Sequence, residues 1–193
     1  MRALILFCVV LTFVSDYAEA CTCARTHPQV QFCNANYVVK AKILQRKETG
    51  GSIFENIVYT VKVTTVYKGS RYFKGRRVQI FTASGGAACG SFFKIGSEYI
   101  ITGTIRDSKW RTSSCSWNTE VSSLPPYQRN ALKSEVYRKN CFCDVNICFG
   151  DQCSAPTQNA CFIKQDDDIS CLFRENSCKR GNYGCAWQSP ACF

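Results

Sequence analysis

Apolar and polar residues alternate along four stretches of this 193-residue chain. The run YVVKAKILQ (Tyr37–Gln45) combines β-branched residues with a two-residue period. NIVYTVKVTTVYKG (Asn56–Gly69) alternates over a longer span and closes on a glycine, and RRVQIFTA (Arg76–Ala83) and EYIITGTI (Glu98–Ile105) repeat the pattern. A period of two sends successive side chains to opposite faces, so each stretch predicts a strand with one face inward. Ser84-Gly85-Gly86 reads as a turn, with Gly85-Gly86 at the head of a hairpin, and Gly103 as a bulge or bend. Several short strands with turn punctuation predict a small barrel or sandwich.

The period changes after Cys115. In SSLPPYQRNALKSEVYRKN, Ser123 offers an N-cap, and Tyr127, Ala131, Leu132, Glu135 and Val136 follow at helical spacing. This predicts one amphipathic helix laid against the β layer.

Cysteine spacing divides the chain. Five cysteines are spread from Cys21 to Cys115, and nine crowd between Cys141 and Cys192. The reading is a larger N-terminal domain with its own core and a small C-terminal module held by bridges. Residues 1–20 read as a secretory leader. Arg2 gives the positive start, Leu4 to Val14 the apolar run, and Ala18-Glu19-Ala20 the small-x-small cleavage site. Cleavage there removes Cys8 and turns an odd count of 15 into an even one, as full pairing outside the cell requires. No second apolar stretch is long enough to span a bilayer, so a secreted, soluble monomer is expected.

Charge narrows the partners. The formal net charge is +10, and loss of the leader takes away Asp16 and Glu19 against Arg2 and raises it further. Lys62, Lys68, Arg71, Lys74, Arg76 and Arg77 form the densest basic group. Sulfated glycans or the extracellular matrix are the partners such a charge favours. No stacking platform accompanies the cations, so nucleic acid is not expected.

The residues for familiar catalysis are missing. His27 is the single histidine, which excludes the paired-histidine zinc motif and leaves a hydrolase only one base. Asp166-Asp167-Asp168 lacks calcium-loop spacing and reads as a solvated turn. A binding protein or inhibitor, not an enzyme, is the expectation, with no cofactor of its own.

The new N-terminus is then the best candidate site. As a simple staple, Cys21 and Cys23 would tether an end that otherwise frays. A second reading gives it chemistry. The α-amine and carbonyl oxygen of Cys21 form a five-membered chelate, and an amine of pKa roughly 7.7–8 yields its proton to a metal near neutrality. A catalytic zinc keeps one position open, and such a chelate could fill it. Two disulfides within three residues remove conformational freedom before binding. Thr22, between the anchors, can enter a pocket.

CTCARTHPQVQFCNANYVVKAK (Cys21–Lys42) closely resembles the start of the tissue inhibitors of metalloproteinases. The match rests on Cys21, Cys23, His27, Pro28, Gln29, Phe32 and Cys33. It continues through Val66-Tyr67-Lys68-Gly69, Ala88-Cys89-Gly90 and Cys185 to Gln188. The resemblance implies a mainly β fold with flanking helices. An OB-fold, netrin-like five-stranded barrel would occupy 21–142 and a disulfide-rich subdomain 143–193. It implies the bridges Cys21–Cys89, Cys23–Cys115, Cys33–Cys141, Cys143–Cys185, Cys148–Cys153 and Cys161–Cys178, which leaves Cys171 and Cys192 to bond each other. It further implies an inhibitory ridge of Cys21, Thr22, Cys23 and Ala24 with Ala87 and Ala88. Cys21 would chelate the zinc of a matrix or disintegrin-type metalloproteinase, Thr22 would enter the specificity pocket, and His27 would orient the segment by a hydrogen bond. Arg25 departs from a proline found in many members. The alternative is a netrin-type module without inhibitory activity that binds glycans, receptors or growth factors through its basic face.

Overall fold

The computed structural model describes residues 21–50, 52–148, 158–190 and 192. The expected leader and Cys153 lie outside them. Strands β1 (Tyr37–Glu48), β2 (Ile57–Lys68), β3 (Arg77–Thr82), β4 (Glu98–Arg106) and β5 (Lys109–Arg111) form a sheet in the order β1-β2-β3-β5-β4. Strand β4 pairs back onto β1, which closes five strands into a barrel. The β3–β5 contact is parallel and the other barrel pairs are antiparallel. A two-residue strand, β6 (Thr119–Glu120), extends β4 outside the closed ring.

The alternation read from the sequence fills this barrel. Tyr37, Val39, Ala41 and Ile43 of β1 point inward with Ile57, Tyr59, Val61 and Val63 of β2, and Ile80, Ile101 and Trp110 complete the cluster. The opposite face of the first residues of β1 is buried as well. Val38 and Ile100 sit under helix α1 (Pro28–Asn34), helix α2 (Pro126–Lys133) and the short helix α3 (Val136–Lys139), against Phe32, Leu132 and Tyr137. Two-sided burial explains why the stretch begins with three consecutive apolar residues.

Three expectations are corrected. Gly103 is not at a bulge, since β1 and β4 run in unbroken register from Tyr37–Gly103 to Lys42–Glu98. The register shifts lie instead between β1 and β2, at Val38/Val39, Lys40/Ala41 and Ile43/Gln45, where they let two 12-residue strands coil around the barrel. Gly103 is required by close approach, because a Cβ there would meet the Arg111 carbonyl and lie 2.6 Å from Tyr37 Oη. Gly85-Gly86 is not a hairpin head, since β3 does not pair with β4. The single helix after Cys115 is two. Val121–Ser123 forms a 3₁₀ turn, so Ser123 is not the N-cap; Pro125 holds that position before α2 without a side-chain capping bond, and Glu135 adopts left-handed φ (59°) before α3.

Beyond α3, β7 (Asp144–Ile147) pairs in parallel with β8 (Ala160–Ile163), and β9 (Cys178–Gly181) pairs antiparallel with β10 (Gly184–Trp187). Helix α4 (Ile169–Glu175) is N-capped by Asp168, whose carboxylate accepts from Cys171 N at 3.0 Å. Asp167 accepts from Lys164 N at 2.7 Å, so the acidic run makes a turn and a cap. Bridges Cys143–Cys185, Cys161–Cys178 and Cys171–Cys192 thread a core with Val145, Ile163 and Leu172. Cys33–Cys141 ties α1 to the chain after α3. Cys148 is also bridged, and its expected partner Cys153 lies outside the described residues.

Candidate functional site

The segment Cys21–Thr26 has no helix or strand of its own and is held by sulfur. Cys21 is bonded to Cys89 and Cys23 to Cys115, with Cα separations of 5.2 and 5.1 Å. The two bridges lie side by side. Cys21 Sγ is 3.7 Å from Cys115 Sγ and 4.0 Å from Cys23 Sγ. Thr22, Cys23, Ala24 and Arg25 are exposed, Ala87 is exposed, and Ala88 and Cys21 are half-buried. The bridges therefore bring the sequence-predicted residues from two distant parts of the chain onto one outward-facing ridge. The four sulfurs are close enough together to suggest a metal site. All four are oxidised in bridges, so none is a thiolate that could ligate.

The loop bearing Ala87 and Ala88 is a chain of turns. Gly85 O accepts from Ala88 N at 3.2 Å and Gly90 N at 2.9 Å, and Gly86 O accepts from Cys89 N at 3.0 Å. Cys89 has φ of 58°, and Gly90 packs so tightly that a Cβ would lie 3.0 Å from Gly85 O. Ser114 N donates to Cys89 O at 2.8 Å, which joins the two bridge-bearing loops directly.

A polar side chain fixes both loops from below. Asn118 Nδ2 donates to Ser91 Oγ, Thr112 Oγ1 and Ser113 O at 3.1, 2.9 and 2.9 Å, and its Oδ1 accepts from Thr102 N at 3.2 Å. Gln31 of α1 donates to Cys115 O at 2.9 Å. Neither residue was singled out from the sequence, because a lone amide in a loop carries no periodic signal.

His27 and Gln29 anchor the far end of the ridge. His27 caps α1, its Nδ1 accepting from Gln29 N at 3.2 Å. That bond places the proton on Nε2, which donates to Leu172 O at 3.0 Å. The ring meets Phe173 and Trp187 edge-on. Burial pushes its pKa down to about 4, against the opposing effect of the backbone bonds to Leu172 and Asn176. The fully buried Gln29 donates to Cys178 O at 2.8 Å, Asn140 O at 3.0 Å and Cys143 O at 3.3 Å, and accepts from Cys178 N at 2.9 Å. Helix α1 itself follows from local signals: Pro28 at its first turn and a histidine cap before it.

Such a ridge, two stacked bridges on a closed barrel with a histidine-proline-glutamine anchor, coincides with a family match over nearly the whole chain. A family profile described as tissue inhibitor of metalloproteinase matches residues 19–192. Metalloproteinase inhibitor 3 of Xenopus laevis is 32% identical over 189 residues, covering 96% of this chain and 86% of the relative. Metalloproteinase inhibitor 3 of Gallus gallus is 34% identical over 146 residues, covering 75% and 68%. Metalloproteinase inhibitor 2 of Homo sapiens is 29% identical over 189 residues, covering 90% and 84%. The chain belongs to the tissue inhibitor of metalloproteinase family, a family of inhibitors and not of enzymes.

Proposed function

We propose that this chain, secreted and cut after Ala20, inhibits zinc metalloproteinases of the matrix or disintegrin type by inserting its N-terminal ridge into their active-site cleft. The observation that carries the reading is the paired bridging of Cys21 and Cys23 beneath an exposed Thr22–Arg25. The thiol of Cys21 is consumed by Cys89, so the donors it can offer a protease zinc are its α-amine and carbonyl oxygen. These displace the water that peptide hydrolysis needs. Thr22 enters the specificity pocket, and the small side chains of Ala24, Ala87 and Ala88 allow close backbone approach. The rigid segment binds with little loss of conformational freedom. The test compares the protein beginning at Cys21 with one carrying an additional alanine before it. Inhibition constants in the nanomolar range, on the order of −12 kcal/mol, are expected for the first and their loss for the second. Equal inhibition by both would exclude chelation.

One observation favours a further role for the basic face. Lys42, Lys62 and Arg77 stand in register across β1, β2 and β3, all exposed and without an ion pair among the described residues. Like charges opposite one another destabilise a sheet, and a polyanion would relieve them. Sulfated glycan is the ligand that fits. Heparin retention should drop to lower salt by about one counterion-release increment for each of Lys62→Gln and Arg77→Gln. Unchanged elution would dismiss the role.

A further inference from the structure

The four sulfurs of the ridge crowd together between the bridges as well as within them. Cys115 Sγ lies 3.7 Å from Cys21 Sγ and 3.7 Å from Cys89 Sγ, and Cys21 Sγ lies 4.0 Å from Cys23 Sγ. A thiolate that reaches a disulfide sulfur displaces its partner, so a sulfur released from one bridge already stands beside the other.

Access decides where such a reaction begins. Cys23 is exposed, while Cys21, Cys89 and Cys115 are half-buried. A second sulfur group, Cys143, Cys178 and Cys185, has two buried members. A thiol arriving from solvent therefore meets Cys23 first. A shallow cleft of about 300 Å³ opens against that sulfur, lined by Cys23, Arg25, Gln31, Cys115 and Trp117 among others. This is room for a small molecule. Arg25 is exposed at the cleft. Its charge draws in an anionic thiol and stabilises a thiolate that forms on Cys115. Ser114 Oγ lies 3.8 Å from Cys21 Sγ, so its hydroxyl can donate to a thiolate left on Cys21.

We propose that this cleft is a modification site for a small anionic thiol, which opens the Cys23–Cys115 bridge and starts an exchange that frees Cys21. The incoming thiolate attacks Cys23 Sγ. A mixed disulfide forms there, the Cys23–Cys115 bond breaks, and the electron pair leaves on Cys115. Cys115 then attacks Cys89 Sγ. A Cys89–Cys115 bridge forms, the Cys21–Cys89 bond breaks, and Cys21 leaves as a thiolate that takes up the proton lost by the thiol. Two disulfides enter and two remain, so nothing is oxidised or reduced overall. The Ser114 N to Cys89 O bond of 2.8 Å holds the two loops together for the new bridge. The consequence rests on the ridge reading above: residues 21–25 lose both tethers, and with them the rigidity that binding uses.

The test treats the protein starting at Cys21 with reduced glutathione, traps free thiols with N-ethylmaleimide, and maps the unreduced peptides by mass spectrometry. One glutathione on Cys23, one maleimide on Cys21 and a Cys89–Cys115 cross-link are expected, with Cys143–Cys185 and Cys161–Cys178 retained. Arg25→Gln should slow the reaction with glutathione by about 3–10-fold at low salt, and that with uncharged 2-mercaptoethanol by less than about twofold. Maleimide on Cys115, a first adduct at another cysteine, or an Arg25→Gln rate equal to the parent's would overturn the proposal. So would loss of all bridges at one rate, which is unfolding. Inhibition of a matrix metalloproteinase is read on the same samples. Loss in step with the Cys23 adduct supports both readings. An adduct that forms while inhibition persists leaves the thiol site standing and removes the ridge reading. No adduct, with inhibition intact, removes the thiol site alone.

Discussion

His27 shows how one side chain couples the ridge to pH. Its ring is buried among Phe173 and Trp187 and is held neutral by burial, with a folded pKa of about 4 against an ordinary value of 6.5. Between those values the unfolded chain binds the proton and the folded chain does not, so stability falls as pH drops from 6.5 toward 4 and is flat above. The full contribution is on the order of 3 kcal/mol. As the single histidine, it can be isolated. His27→Asn keeps a helix-capping side chain and removes the titration. Denaturant midpoints measured from pH 7 to 4.5 should fall less steeply in this variant than in the parent. Identical slopes would place the pH sensitivity elsewhere. Arg25 is the charged residue of the exposed segment 22–25, and it has no ion pair among the described residues.

At the scale of elements, the barrel depends on strands meeting where one has no side chain. The Tyr37 ring crosses Gly103 to donate to Arg111 O at 3.1 Å and packs 4.2 Å from the Trp110 ring. An added methyl at 103 has no room, because it would meet backbone on one side and the phenol on the other. Gly103→Ala should destabilise by about 2–3 kcal/mol through strand displacement. Urea unfolding measures this, and a change near zero would mean that the ladder slips without strain. The same close approach explains why a glycine within an alternating strand reads ambiguously: bulge and contact demand the same residue, and the sequence does not say what faces it. The split of the predicted helix has a similar cause. Helical spacing from Tyr127 to Val136 is present, but Ser134 and Glu135 turn the chain so that Tyr137 reaches the core under β1.

Over the whole molecule, the barrel and the disulfide-rich module are joined by the segment that carries the ridge. Gln29 takes up one N–H and three carbonyls from strands and turns of both parts. Gln128 reaches Phe173 O at 2.9 Å, and Tyr127 reaches Ser177 Oγ at 2.7 Å. The histidine-proline-glutamine run is thus as much a joint as a support. Phe173 of the C-terminal part lines a shallow cleft together with Ala24 and Arg25. Among the described residues no helix is long and apolar enough to cross a membrane.

Local chemistry was readable in the sequence. The four long strands follow from alternation, because a half-buried strand must repeat every two residues. Turn residues and the crowding of cysteines follow from equally local causes. The family signature gave candidate positions for the ridge. What a one-dimensional pattern does not carry is which distant groups meet. Strand β5 has three residues and no period, and it exists because β3 and β4 flank it. Asn118 matters because two loops 26 residues apart in their cysteines converge on it. Glu55 looks like any exposed acid until barrel closure brings Arg111 beside it. Strand formation and turn chemistry are set by neighbours along the chain, so the sequence by itself determines them. The stacked bridges, the buried histidine and the Glu55–Arg111 ion pair arise from contacts that exist once the barrel has closed, and the tertiary structure decided them.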